Sequence, residues 1–360
     1  MSAETAFAIQ PAAAPEAEVS AAVAMTLAGL CYAPRRRIAE HLADPALATA
    51  GEWRIVWGPV ETLANLVYVA YAPASNTFAV AIRGTVPTPG PAQLLNIYQD
   101  LHVAQAVPWP HPDAPDARIA RGTWDGLRAL LSRASNGVKL DAFLEHAAVA
   151  FPGASVVVTG HSLGGCLASV LALHLRHRLP GVAVAPVTFA APTAGNAAFA
   201  AFFDALFPGA PRYYNRLDVV PMAWAGLDGV ADLFPDPGVR CPSAFRETVR
   251  LVTKWLQRAG VSYAHPGLGI ELAGVPERLF LKMDPVAAFT RELLRQHHPD
   301  SYLALLGAPC LPFELVQLPV PIQIPRITPR PATDSAMQVA PSDTGAAAPP
   351  VDTIPTPLFS

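Results

Sequence analysis

Residues 154–169 read Ala-Ser-Val-Val-Val-Thr-Gly-His-Ser-Leu-Gly-Gly-Cys-Leu-Ala-Ser, and this segment constrains the fold more than any other. Val156, Val157 and Val158 are a β-branched run suited to a buried strand. Gly160-His161-Ser162-Leu163-Gly164 fits the G-x-S-x-G nucleophile elbow, a sharp strand-to-helix turn that holds a serine hydroxyl clear of the backbone. An apolar helix is predicted from about Leu163 to Leu179. It closes on Arg176, His177 and Arg178 before Pro180-Gly181, which combines last-turn cations with a helix stop. The N-terminus of such a helix offers amide donors to a developing oxyanion.

The rest of the chain alternates in the same way. Residues 53–60 and 66–72 read as strands, and 66–72 with 77–83 reads as a hairpin across Pro73-Ala74-Ser75-Asn76. Helical patterns follow at 123–133 and 138–150, then the elbow, an apolar strand at 182–190 and a short strand at Arg212–Asn215. Apolar strands alternating with helices predict an α/β fold with a mostly parallel central sheet covered on both faces. Residues 222–290 read as an insertion with one amphipathic helix near 245–258, and helical patterns return at 285–296 and 301–306. Residues 1–18 and the Pro/Ala-rich tail 315–360 are expected to be disordered, leaving one domain over 19–314.

Charge excludes some function classes. A net charge of −3 with no basic stripe speaks against nucleic acid as a partner. No apolar run reaches the ~18 residues needed to span a bilayer. Glu4, Glu16 and Glu18 precede the apolar stretch Ala21–Leu30, which favours an amphipathic first helix over a signal peptide and hence a cytoplasmic location. Cys31, Cys166, Cys241 and Cys310 lack zinc-site spacing and read as reduced structural thiols. No metal or organic cofactor is expected.

A serine nucleophile needs a base, and the base needs a group to fix its tautomer. The acid should follow a sheet strand, and Asp218 does so in Leu217-Asp218-Val219-Val220-Pro221. Asp228, Asp232 and Asp236 compete, but no strand precedes them. The bases available beyond Asp218 are His265, His297 and His298. The last two sit between helical patterns, where a loop could carry a histidine over the sheet edge. Residue chemistry does not choose between them.

Four segments resemble the class 3 (fungal-type) lipases of the α/β-hydrolase superfamily, and they come in that family's order. They are Ile82-Arg83-Gly84-Thr85, the Gly160–Gly165 elbow, Tyr214–Pro221, and His297 with Tyr302-Leu303. The resemblance spans roughly residues 20–310. It implies Ser162 as nucleophile, Asp218 as triad acid and His297 as base, because the family histidine lies five residues before the tyrosine of His-x-x-x-x-Tyr-Leu, here Tyr302. His298 is the runner-up. Thr85 and the Leu163 amide would form the oxyanion hole, and Asp100 would anchor Thr85. The family keeps its lid between Thr85 and Arg118. Here 86–115 is Pro-rich without one clear amphipathic helix, and it carries exposed-looking Leu94, Leu95, Ile97 and Trp109. The expected activity is a serine carboxylic-ester hydrolase, a lipase cleaving acylglycerol esters, with transient contact at a lipid interface. The alternatives are a phospholipase A1, a feruloyl-type or short-chain esterase of the same fold, and, less favoured, a non-enzymatic binding protein.

Overall fold

The computed structural model describes residues 19–62, 65–84, 102–234, 239–276 and 284–315. Thr85, Asp100, Asp236, Leu94, Leu95 and Ile97 lie outside these residues, as do the stretch 1–18 and all but Leu315 of the tail 315–360 that were expected to be disordered.

Helices α1 (Ala21–Leu30) and α2 (Ile38–Leu42) precede strands β1 (Arg54–Glu61), β2 (Leu66–Ala72) and β3 (Thr77–Ile82). Then come α3 (Arg121–Ser132), α4 (Leu140–Ala150), β4 (Ser155–His161), α5 (Leu163–Arg178), β5 (Ala183–Phe189), α6 (Ala197–Leu206) and β6 (Pro211–Asn215). The chain continues through α7 (Ser243–Ala259), β7 (Leu268–Leu272), α8 (Pro285–His297) and α9 (Pro299–Leu305). The seven strands form one sheet, and their order in space follows their order in the chain. β1, β2 and β3 are antiparallel neighbours, whereas β3 to β7 run parallel.

Side-chain alternation builds two cores. On β2, Val67, Val69 and Tyr71 join Val80, Val156 and Val158 against α3, α4, α5 and α6. Leu66, Tyr68 and Ala70 point the other way, with Ala79, Ala81 and Val157, onto α1, α2 and α9. A sheet buried on both faces reads as continuous apolar runs, as β2 and β4 do. α5 lies under the sheet with Leu167, Val170, Leu171 and Leu175 fully covered, each burial contributing about 1.5–3 kcal/mol.

Three expectations change. α1 is not amphipathic. Ala24 to Leu30 are all buried, because the helix is sandwiched between the β4 region of the sheet and α9 and has no solvent face for most of its length. Trp109 is 7% exposed and meets Trp124 and Phe199 edge-on. A two-stranded ribbon, Ala106–Pro108 with Arg118–Ala120, lays it against α3 and α6. The 222–290 insertion supplies a strand of the main sheet, β7, paired in register with β6. As an edge strand with only Leu272 buried, β7 carries little apolar signal.

Candidate active site

The elbow is local geometry imposed by close packing. β4 ends at His161, Ser162 adopts φ 61° and ψ −132°, and α5 begins at Leu163. Positive φ at a serine is strained, and it persists only where the surroundings over-determine it. Here the Ser162 N–H donates to Phe189 O at 2.9 Å, and the Ser162 carbonyl accepts from the Gly165 and Cys166 amides at 2.9 and 3.3 Å. A Cβ on Gly160 would collide with the Gly164 carbonyl group, and one on Gly164 with the Ile82 carbonyl. Glycine at both positions lets α5 start directly against β3 and β4.

Asp218 is placed by a turn at the end of β6. The Asn215 carbonyl accepts from the Asp218 amide at 2.9 Å, and the Asn215 side chain accepts from the Leu217 amide at 3.1 Å. The Asp218 side chain is fully buried. Its Oδ1 accepts from the Val220 amide at 2.9 Å, and its Oδ2 lies 2.7 Å from His297 Nδ1. His297 Nε2 lies 2.9 Å from Ser162 Oγ. A carboxylate only accepts, so Nδ1 carries the imidazole proton and Nε2 is left to accept from the serine hydroxyl.

His297 is the last residue of a helix, not part of a loop. Pro299 opens α9 and holds His298 extended at φ −66° and ψ 137°, so one residue joins the two helices. That turn directs the adjacent histidines differently. His298 Nδ1 accepts from the Asp300 amide at 3.2 Å and caps α9. Burial, with His297 beside it, lowers the His298 pKa to about 4.

Behind Asp218 lies a polar network that the sequence reading did not anticipate. The Tyr302 hydroxyl donates to Asp218 Oδ2 at 2.7 Å and accepts from the Asn215 amide at 3.0 Å. Burial, then the Asp218 charge, raises the Tyr302 pKa well above its usual value and keeps it a donor. Asn215 Nδ2 donates to Gln296 Oε1 at 2.6 Å, and Gln296 Nε2 donates to Glu292 Oε1 at 2.6 Å. Glu292 also takes two bonds from Arg295, at 3.0 and 2.6 Å. Glu292, Arg295 and Gln296 share one buried face of α8, so polar residues at i, i+3 and i+4, two of them charged, were the available clue. His161, beside the serine, meets the Tyr32 hydroxyl through Nδ1 at 3.1 Å, and its ring centroid lies 4.7 Å from that of His297. Burial, then the neighbouring His297 and His298, drives the His161 pKa well down and keeps the ring neutral.

The remaining candidates stand apart. Asp228 and Asp232 are exposed on a 3₁₀ segment, Leu227–Asp232. His265 Nε2 lies 2.6 Å from Pro221 O, and burial with Arg212 nearby lowers its pKa to about 4. The Leu163 amide is the first of α5, where no intrahelical acceptor exists. Gly84 leads toward Thr85 by passing so close to the elbow that a Cβ there would lie 2.9 Å from Ser162 Cβ and 3.0 Å from the Leu163 nitrogen. The four cysteines are free, and burial raises the Cys166 thiol to about 12.

The sequence model of the class 3 lipases matches residues 79–226. The matched part takes in most of β3, the elbow and Asp218, while His297 lies beyond it. The fold resembles that of M37 lipase at 24% identity and a TM-score of 0.65, covering 79% of this chain and 90% of that one. It also resembles the lipase of Rhizomucor miehei in its propeptide complex, at 20% identity and a TM-score of 0.51, covering 78% of each. Both likenesses are of fold: a mostly parallel sheet flanked by helices, the α/β-hydrolase fold.

Proposed function

We propose that this chain is a lipase of the class 3 type, a serine carboxylic-ester hydrolase acting on acylglycerol esters, with Ser162 as nucleophile, His297 as general base and Asp218 as the group that orients it. The carrying observation is the unbroken line from Ser162 Oγ to His297 Nε2 at 2.9 Å and from His297 Nδ1 to Asp218 Oδ2 at 2.7 Å. In this reading Ser162 Oγ attacks the ester carbonyl while its proton passes to His297 Nε2. The Leu163 amide, with Thr85, donates to the oxyanion. The alcohol leaves with the proton from His297, and an acyl group stays on Ser162. Water then attacks the acyl-enzyme, His297 takes its proton and returns it to Ser162, and the fatty acid departs. Among the described residues no helix is long and apolar enough to cross a membrane.

The test is hydrolysis of p-nitrophenyl esters from butyrate to palmitate, together with a long-chain triglyceride emulsion, by the wild-type chain and Ser162→Ala. Ser162→Ala should lose about 10³-fold or more in kcat, and a fluorophosphonate probe should label Ser162 in the wild type alone. A near-wild-type rate in Ser162→Ala, free of host esterase, would refute the assignment. A wild type that cleaves butyrate but no long-chain ester would leave the serine chemistry and reject acylglycerols as substrate.

A further inference from the structure

α7 lies outside the part of the chain matched to the lipase family and carries an unusual outer face. Its inner face is conventional: Phe245, Val252 and Leu256 are buried. On the outer face a cation recurs at every fourth residue, at Arg246, Arg250, Lys254 and Arg258, and all four are exposed. A four-residue step advances ~40° round a helix, so the cations form one slowly winding row. Beside that row stand Leu251 and Trp255, four residues apart and 42% and 43% exposed, two of the few large apolar side chains so exposed among the described residues. One carboxylate, Glu247, interrupts the row, and it pairs with Arg250 at 2.7 and 2.9 Å. The chain as a whole has a net charge of −3, so this face locally inverts the protein's charge.

α7 sits at the side of the sheet where the catalytic residues collect. Phe245 packs on Phe289 of α8 at 4.9 Å between ring centroids, and His297 ends that same helix. Val219 and Val220, next to Asp218, belong to the same apolar cluster. Just beyond α7, the Tyr263 hydroxyl donates to Val103 O at 2.6 Å, which ties this region to the chain returning from the stretch after Thr85.

We propose that the outer face of α7 docks the protein on an anionic lipid surface, with the cation row against the headgroups and Leu251 and Trp255 inserted at the acyl boundary. Long basic side chains can hold their charges at the headgroups while their stems lie along apolar surface. A helix with cations beside Trp and Leu matches the residue pattern of interfacial helices. Opposite charge selects an anionic layer over a neutral one, and the apolar pair selects a lipid layer over a soluble acidic macromolecule. Docking by this face would hold the Ser162 region against the layer that holds its substrate. That benefit rests on the ester-hydrolase reading, whereas the docking itself does not.

The test uses vesicles of dialkyl-ether phosphatidylcholine, with or without 30% of the matching phosphatidylglycerol. These lipids carry no ester bond, so binding is read whether or not the protein hydrolyses esters. The full chain should bind the anionic vesicles at least tenfold more tightly than the neutral ones, and 0.5 M NaCl should erase most of the difference. Arg250→Gln/Lys254→Gln/Arg258→Gln should weaken anionic binding by about 100-fold while leaving p-nitrophenyl butyrate hydrolysis unchanged. Leu251→Ser/Trp255→Ser should weaken it by about tenfold. Arg35→Gln/Arg36→Gln removes exposed cations beside β1, the edge strand at the far end of the sheet from β6 and β7, and should change binding less than twofold. Equal binding to both vesicles, or an equal loss in the Arg35/Arg36 variant, would overturn the proposal. Unchanged binding by the Leu251/Trp255 variant would also overturn it, in favour of an acidic macromolecular partner.

Discussion

Replacing Tyr302 by Phe removes one oxygen and with it two buried hydrogen bonds, one donated to Asp218 Oδ2 at 2.7 Å and one accepted from the Asn215 amide at 3.0 Å. The first is to a charged acceptor, which in a buried setting contributes about 1.5–3 kcal/mol. The second loss strands a buried N–H, at a cost of about 1–3 kcal/mol. The two share one oxygen, so they will not add fully, and a net destabilisation of about 3 kcal/mol is expected. In a chain of this size that lowers Tm by roughly 5 °C or more. The catalytic effect should be smaller. Asp218 keeps the Val220 amide and His297, so the base stays held and kcat should fall only about tenfold, far less than in Ser162→Ala. Thermal unfolding and the kcat of p-nitrophenyl butyrate hydrolysis measure both effects. A lower Tm with an unchanged kcat would mean that Tyr302 only supports the fold. An unchanged Tm would refute the hydrogen-bond reasoning itself.

Further outcomes follow from the same geometry. His297→Ala should lose nearly as much kcat as Ser162→Ala, while His298→Ala keeps most activity and loses about 1 kcal/mol of stability as the α9 cap goes; the reverse pattern in ester assays would exchange their roles. Gly164→Ala drives a Cβ into the Ile82 carbonyl and should cost about 4 kcal/mol or more, seen as a collapsed Tm or loss of soluble protein; wild-type stability would show that the elbow can relax. His265 has a folded pKa of about 4 against an ordinary 6.5, so the unfolded chain binds the extra proton between these values. Its contribution, at most about 3 kcal/mol, is fully present above pH 6.5 and lost as pH falls toward 4. Asp300, raised by burial to about 6, acts with the opposite sign, its contribution being lost as pH rises through 6. Urea unfolding of His265→Gln across pH 4–7 should therefore show a flatter acid-side loss than the wild type, and an identical slope would remove His265 from the account.

The elbow could be read directly because it is local. Three valines, two glycines around a serine and an apolar helix interact within a few residues of one another, so strand, turn and helix follow from neighbouring side chains alone. Asp218 was nearly as legible, since a strand end and a turn-forming Asn215 lie just before it. The choice of His297 over His298 was not open to residue chemistry and came from spacing to Tyr302. What separates the two in space is where α8 stops. Pro299 forces His298 out of the helix, leaving His297 on the last helical residue, aimed at Ser162. The Tyr302–Asn215–Gln296–Glu292 network was invisible for a related reason. Its members come from three elements, and each polar residue looks ordinary until the fold buries it against the others. Strand β7 and helix α1 failed in opposite directions. β7 is an edge strand whose pairing with β6, more than its own apolar content, makes it a strand. α1 was expected to be half exposed, and only the sheet on one side and α9 on the other removed its solvent face. Short-range chemistry determined the serine elbow and its turn. Long-range packing decided which histidine meets Ser162, which groups hold Asp218, and which apolar residues are core.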